Sequence, residues 1–415
     1  MMGNDQIVGP WRTASYWEKA LVMALPAIML GLQIAGWIFF LPGAMQGHAD
    51  FRHLYAAGYM VRTGHSTELY DYDAQQKFQN QLVSPEGIAL PFNHVAYESL
   101  LFVPYSLLPY RAGYFLFLFT NILLLVFAAR TMRMWTENLR AISPWLPVVL
   151  FFTFLPTAAA LMQGQDSALL LLLFAGAFAL LGGGQEFVPG FLVGLGLFKF
   201  QIVVPVVALF FVWRRWRFVG GFACSAAVGL LISLLLVGPS QMTTFAHSLL
   251  SMSVKETALD QARFAVFPIE MPNLRGLIYA LTRSLVSRFW IQTITAVTSL
   301  GVLLWITWKG NRRSSYRQLP LAITAAAVLS YHLFSHDLAI LLIPICVGLN
   351  QYFDLESAPD PVWAVACAAM FALPAVIGLS SVPPSVLAIP LIFLLASQAR
   401  TISPGSLGIG HLERI

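Results

Sequence analysis

The sequence predicts an all-α fold, a polytopic membrane helical bundle of about 12 membrane segments whose long extracytoplasmic loops carry surface helices. Three observations predict it. Charged residues make up only 10% of the 415-residue chain, where a soluble domain carries roughly 25%. Apolar runs long enough to cross ~30 Å of hydrocarbon recur from end to end. The short alternating segments of a membrane β-barrel are missing.

The elements follow in order. A first span is expected over 17–40, because Ala20 to Gly43 contains no Asp, Glu, Lys or Arg. It is too long for a signal-peptide core and lacks a small-residue cleavage pattern, so it is read as a retained helix. Residues 41–110 form the first extracytoplasmic loop. A span over 111–132 returns, and spans 144–162 and 166–183 make a hairpin that turns at Gln163-Gly164-Gln165-Asp166. Span 217–238 leads into the second extracytoplasmic loop, 240–286. Spans 289–308, 318–335, 337–351, 361–380 and 384–399 complete one integral membrane domain, 1–415.

Basic residues set the orientation. Arg12 and Lys19 precede the first span, Arg130, Arg133 and Arg140 follow the second, and Arg400 follows the last. The densest patches are Trp213-Arg214-Arg215-Trp216-Arg217 and Lys309, Arg312, Arg313 and Arg317. Placing all of them inside satisfies the positive-inside rule and puts both termini in the cytoplasm of a bacterial-type inner or plasma membrane. The Trp/Arg patch reads as an anchor for anionic lipid.

Residues 188–212 resist a single crossing. Gly182-Gly183-Gly184 before them and the Trp/Arg patch after them both belong inside. The expected solution is a re-entrant pair, half-helices 188–197 and 201–212 with Lys199 at the apex, a backbone tolerated where it lines a protein or water-filled cavity. The glycines at 190, 194 and 196 suit close packing of such short helices.

Some classes are excluded. Cys224, Cys346 and Cys367 lie in apolar stretches without metal-ligand or paired spacing. Basic residues scattered over short loops do not form a nucleic-acid surface. No internal repeat stands out, which argues against a secondary transporter built of inverted halves. No P-loop is present.

Polarity gathers on the outer side. The first loop carries Asp50, Arg52, His53, Glu68, Asp71, Asp73, His94 and Glu98. The hairpin turn adds Gln163, Gln165 and Asp166, and the apex adds Lys199 and Gln201. The second loop adds Lys255, Glu256, Arg263, Asn273 and Arg275, and a late turn adds Tyr331, His332, His336 and Asp337. Bland readings stand beside these. Asp50 fits a helix N-cap, Lys199 a snorkelling side chain, His336-Asp337 an ordinary loop pair and Asp166 a cap. The run from Glu68 to Asp73 fits a folded surface loop better than a metal site. As chemistry, a carboxylate serves as base toward a sugar hydroxyl, and Lys or Arg neutralises a phosphate. A donor at the outer surface is suitably a lipid, since nucleotide sugars are not expected there.

These motifs in sequence resemble a known family. The matching pieces are Asp50-Phe51 with Tyr55, Ala56 and Ala57, then Gly64 and Leu69-Tyr70-Asp71, and Pro104 and Pro109. Gly164-Gln165, Gly190-Phe191-Leu192-Val193-Gly194 leading to Lys199, Pro272-Asn273 with Gly276, and His336-Asp337 before Pro344 follow. The chain thereby resembles the GT-C superfold glycosyltransferases of family 87, whose known members are polyprenyl-phosphate-mannose-dependent mannosyltransferases. The resemblance implies a sugar transferred with inversion from a polyprenyl-phosphate donor to a glycolipid or glycan acceptor among membrane lipids. It implies Asp50 as base, Lys199 facing the donor phosphate, and His336 near donor or acceptor. Arg52 and Arg275 are the further phosphate candidates, and Gln165, Asp337 and Asn273 join His336 as sugar or acceptor candidates. No metal and no cofactor beyond the lipid-linked sugar is expected, because cationic side chains can supply the electrostatics. Two departures stand out: Phe200 follows the lysine where the family often has proline, and Leu274-Arg275 replaces a small polar residue after Asn273. The other classes considered are a flippase or transporter of lipid-linked sugars and a different membrane lipid-phosphate enzyme.

Overall fold

The computed structural model describes residues 16–85, 89–254, 267–353 and 361–400, with side chains from 24 onward and up to 250 in the second stretch. Arg12, Lys255, Glu256, Arg263 and the side chain of Lys19 lie outside the described residues. Every element among the described residues is helical. Six helices are long and apolar enough to cross a membrane, or seven if one bent pair counts as a span. That is fewer than the dozen segments expected, because several late apolar runs fold as short helices.

Helices of eight residues or more are numbered here in chain order. The first, α1 (Tyr16–Met45), is a single long rod. The segment after it folds as α2 (Phe51–Arg62) and α3 (Tyr72–Leu82), with short helical turns over 96–102. Asp71 caps α3, its carboxylate accepting from the backbone N–H groups of Asp73 and Ala74, which satisfies two of the orphan donors of a helix start. A long α4 (Tyr110–Thr131) begins just after Pro109. Next come α5 (Leu146–Thr153) and α6 (Leu155–Gln163), bent by 58°. Phe154 is extended there, and Pro156, which has no N–H to continue the ladder, sits in the first turn of α6. The 16-residue α7 (Ser167–Gly182) follows.

The segment 187–212 consists of α8 (Phe187–Leu195), a 3₁₀ turn (Gly196–Lys199) and α9 (Phe200–Val212). By length and composition it passes as one 26-residue span, which drawn straight would hold its ends about 39 Å apart. Its ends meet instead: Arg215 Nη1 lies 3.4 Å from Glu186 Oε1, and a Cβ on Gly221 would lie 1.9 Å from the Phe187 carbonyl oxygen. The chain therefore doubles back within this segment, with Lys199 near the turn. The next helix, α10 (Trp216–Val254), runs parallel to α8 at backbone contact. A Cβ on Gly190 would lie 1.9 Å from the Phe218 carbonyl oxygen, and one on Gly194 would lie 2.0 Å from Ser225 Oγ. The helix α10 kinks at Gly238 (φ 79°, ψ 168°), followed by Pro239. The expected span end at 238 is thus a kink, and helix continues into what was expected to be loop.

The remaining helices are α11 (Leu274–Thr282), α12 (Arg288–Gly310), α13 (Ser315–Leu329), α14 (Leu342–Tyr352), α15 (Pro361–Gly378) and α16 (Ala388–Arg400). Between α13 and α14 lies a 3₁₀ stretch, Ser335–Leu341, so the spans expected over 318–335 and 337–351 appear as shorter helices set further apart.

The basic patches share one end of the bundle, but they are not free anchors. Arg215 donates to Gln318 Oε1 at 2.8 Å and to the Arg313 carbonyl at 2.6 Å. Arg313 donates to the carbonyls of Gln398 and Ala399, both at 3.0 Å. Trp213 is buried and donates to the Thr307 carbonyl, which leaves Trp216 as the exposed ring of that patch. Two apolar cores stabilise the fold, a large one through α4 to α16 and a smaller one around Phe51.

Candidate active site

Asp50 stands at the start of α2, with backbone φ and ψ of −59° and −25° and no side-chain cap bond. Its carboxylate is therefore free of the bland capping task. Two neighbours fix it. Gln163 Oε1 accepts from its backbone N–H at 3.3 Å, and Gln165 Nε2 donates to its Oδ2 at 2.7 Å. Next in sequence, fully buried Phe51 stacks on Phe117 at 5.3 Å and meets Tyr110 and Tyr114 at 5.7 Å each. This aromatic cluster holds the first turn of α2 in place.

Gln165 is aimed by the end of α6. The Gly164 N–H bonds to the Leu161 carbonyl and the Gln165 N–H to the Ala160 carbonyl, the paired bonds of a Schellman motif. Gly164 carries the left-handed φ of 62° that this requires, and a Cβ there would lie 2.6 Å from Phe51 Cβ. The motif turns Gln165 toward Asp50 on one side and Lys199 on the other. Lys199 Nζ donates to Gln165 Oε1 at 2.7 Å. One side-chain amide thus bridges Asp50 and Lys199, a placement that also fixes which amide atom is oxygen.

Lys199 is buried between two carboxylates. Asp166 Oδ1 and Asp337 Oδ1 each lie 3.3 Å from Nζ. Asp166 makes no cap bond to α7, so the capping role read for it from sequence is corrected: its carboxylate serves the ammonium. Asp337 also accepts from the Phe334 N–H at 3.0 Å, and His336 Nε2 lies 3.5 Å from its Oδ1. His336-Asp337 is therefore no isolated loop pair.

On the far side of Asp166 the polar chain continues. Glu98 is fully buried and faces Asp166, and atoms of these two carboxylates and of His94 lie within 4.8 Å of one another. His94 Nδ1 lies 2.7 Å from Glu98 Oε2. Burial lifts the Glu98 carboxyl to about 7, against the opposing pull of Asp166 and Lys199. Burial and the Lys199 charge lower His94 to about 4, so its ring is neutral at neutral pH. The sequence named both residues but gave them no task; an acid and a histidine four apart beside an apolar run were the available signal.

Three expected ligands are occupied elsewhere. Arg52 is buried, and its guanidinium donates to Asn80 Oδ1 at 2.9 Å, to the Ser84 carbonyl at 2.7 Å and to Ser84 Oγ at 3.2 Å. It fastens the end of α3 to α2. Asn273 caps α11 by accepting from the Gly276 N–H at 2.9 Å, and it donates to the Ser330 carbonyl at 2.7 Å. Arg275 lies 3.7 Å over the Tyr331 ring and donates to the Tyr331 carbonyl at 2.8 Å. It tethers the loop that carries His336 rather than contacting Lys199.

The arrangement offers a half-buried carboxylate with one oxygen engaged, an ammonium two hydrogen bonds away, and a surrounding set of buried acids. In comparisons with known proteins, the family model for glycosyltransferase family 87 matches residues 98–335. The stretch begins at Glu98 and includes Gln165, Asp166 and Lys199, and it stops just before His336; Asp50 lies ahead of it. No curated protein and no solved structure matches the chain.

Proposed function

Since the chain belongs to glycosyltransferase family 87, we propose that it transfers a sugar, mannose in the first instance, from a polyprenyl-phosphate donor to a hydroxyl of a glycolipid or glycan at the extracytoplasmic face. In this reading the acceptor O–H gives its proton to Asp50 as its oxygen attacks the anomeric carbon. The bond from that carbon to the phosphate oxygen breaks, the electron pair leaves with the lipid phosphate, and a single displacement inverts the centre.

The observation that carries this is the Asp50–Gln165–Lys199 line. Gln165 occupies Asp50 Oδ2, and Oδ1 accepts no hydrogen bond from the described residues, so it is open to an acceptor hydroxyl. Lys199 lies at the turn of the doubled-back segment, which in a membrane is a re-entrant pair that brings its charge to the donor phosphate. Lys is suited to phosphate as a point charge, and Asp166 and Asp337 hold its ammonium in position. His336, beside Asp337, faces the sugar. A prenyl chain would lie against the apolar flanks of the bundle.

The test is Asp50→Asn in purified protein supplied with labelled polyprenyl-phosphate sugars and membrane extract. The expected loss in transfer rate is about 10²- to 10⁴-fold, the usual contribution of a general base, with an unchanged thermal transition. Turnover at the wild-type rate in the variant would sink the assignment of Asp50.

A further inference from the structure

The polar cluster holds more negative charge than Lys199 can balance. Asp50, Asp166 and Asp337 gather around Gln165 and Lys199, with Glu98 facing Asp166, and Lys199 is the one ammonium among the described residues there. Buried carboxylates without compensation are costly, and a phosphate-bearing donor adds further negative charge. The excess is concentrated where Glu98, Asp166 and His94 meet, and the ligand atoms of these three lie within 4.8 Å of one another.

Independent observations at the same place point to a missing partner. Glu98 Oε1 and Asp166 Oδ2 are buried and receive no hydrogen bond from the described residues. Beside His94 sits His53, also buried, with the two rings 5.5 Å apart. Neither His53 nitrogen has a hydrogen-bond partner among the described residues. A neutral imidazole owns one donor and one acceptor, and a buried histidine satisfied at neither nitrogen is rare. Two carboxylate oxygens without a donor, next to a histidine pair with two ring nitrogens unpartnered, are the kind of ligand set a divalent cation takes.

We propose that His94, Glu98 and Asp166 bind a first-row divalent cation, with His53 beside it to complete the coordination or to hold a metal-bound water. One imidazole and two carboxylates suit Mn²⁺ or Zn²⁺ better than a soft ion. The ion takes the place of the hydrogen between His94 Nδ1 and Glu98 Oε2. Lys199 repels it across Asp166, and Asp50 and Asp337 offset that repulsion. This departs from the expectation from sequence that the site needs no metal. Binding stands on these residues alone. The role of the ion, which is to leave Lys199 net attractive to a lipid phosphate, rests on the proposed function.

The experiment uses the full chain in detergent, stripped with EDTA and titrated separately with MnCl₂ and ZnCl₂. Bound Mn²⁺ is read by electron paramagnetic resonance and bound Zn²⁺ by calorimetry. The expected result is about one equivalent of at least one ion, together with a raised thermal transition, because a ligand of the native state stabilises it. Glu98→Gln and His94→Gln each weaken binding by more than about tenfold, a loss seen even for residues that only support metal ligands. Asp73→Asn, on the exposed start of α3, binds as the wild type does. Absence of stoichiometric binding of both ions to folded wild-type protein overturns the proposal. So does binding by both variants as tight as that of the wild type. Either failure leaves the Asp50→Asn result untouched, so the two readings fail separately.

Discussion

At the basic end of the bundle, Arg215 donates to Gln318, to the Arg313 carbonyl and toward Glu186, while Arg313 donates to two carbonyls of α16. At the acidic end, Lys199 is enclosed by Asp166, Asp337 and Gln165, and beyond them lie carboxylate oxygens and imidazole nitrogens with no hydrogen-bond partner among the described residues. Both ends bury charge. The first spends it on backbone and amide partners, which ties helix ends together. The second collects like charges and leaves their hydrogen-bonding capacity open. A buried polar group that is fully paired stabilises a fold, and one left open costs free energy in the absence of its ligand. The difference separates architecture from chemistry without any appeal to sequence motifs. It also speaks against a flippase, for which matched polarity at the two ends is expected.

The comparison can be broken most severely at Lys199. Lys199→Met leaves two buried carboxylates facing each other and is expected to cost about 3–5 kcal/mol, the usual result of removing one partner of a buried pair, along with sugar transfer. Denaturant or thermal unfolding reads the first effect and a transfer assay the second. Adding Asp337→Asn to that variant should recover part of the stability and none of the transfer. Arg215→Met at the other end, where the pair is partly exposed, should cost about 1–3 kcal/mol and leave transfer per folded molecule unchanged. Loss of turnover in folded Arg215→Met would erase the distinction between the ends.

Gly164→Ala sharpens it on a smaller scale. The left-handed φ and the crowded Phe51 should cost about 1–3 kcal/mol, and transfer should fall further than stability alone explains, because Gln165 loses its aim. The smallest effect belongs to Asp71→Ala. Loss of this cap should lower stability by about 1 kcal/mol and leave transfer as it was, as parallel melting and transfer measurements will show.

Much of this was legible in the chain, for physical reasons. The long uncharged run before Asp50 announces a helix whatever its neighbours do, and the conflict between Gly182-Gly183-Gly184 and the Trp/Arg patch required some reversal near Lys199. Side-chain direction was not legible. Asp50 and Asp166 both precede helices in cap-like contexts, and packing engages their carboxylates with Gln165 and Lys199 instead. Arg52 looked like a phosphate ligand by its nearness to Asp50, yet successive positions on a helix point some 100° apart, and its guanidinium reaches α3. Asn273 looked like a sugar contact and is an N-cap. Glu98 and His94 were passed over because what gives them meaning, Asp166 and Lys199, is far away in sequence and reaches them only once the helices pack.

The two carboxylates on Lys199 come from opposite sides of it in the chain, and that carries a consequence for biosynthesis. Asp166 is made before Lys199, whereas Asp337 is made more than a hundred residues later. At ~5–20 residues per second, Lys199 waits on the order of ten seconds for its second counter-charge. Of the polar partners described for Lys199, Asp166 and Gln165 exist during that interval and Asp337 does not, so a ribosome stalled before α13 would leave the ammonium half-compensated.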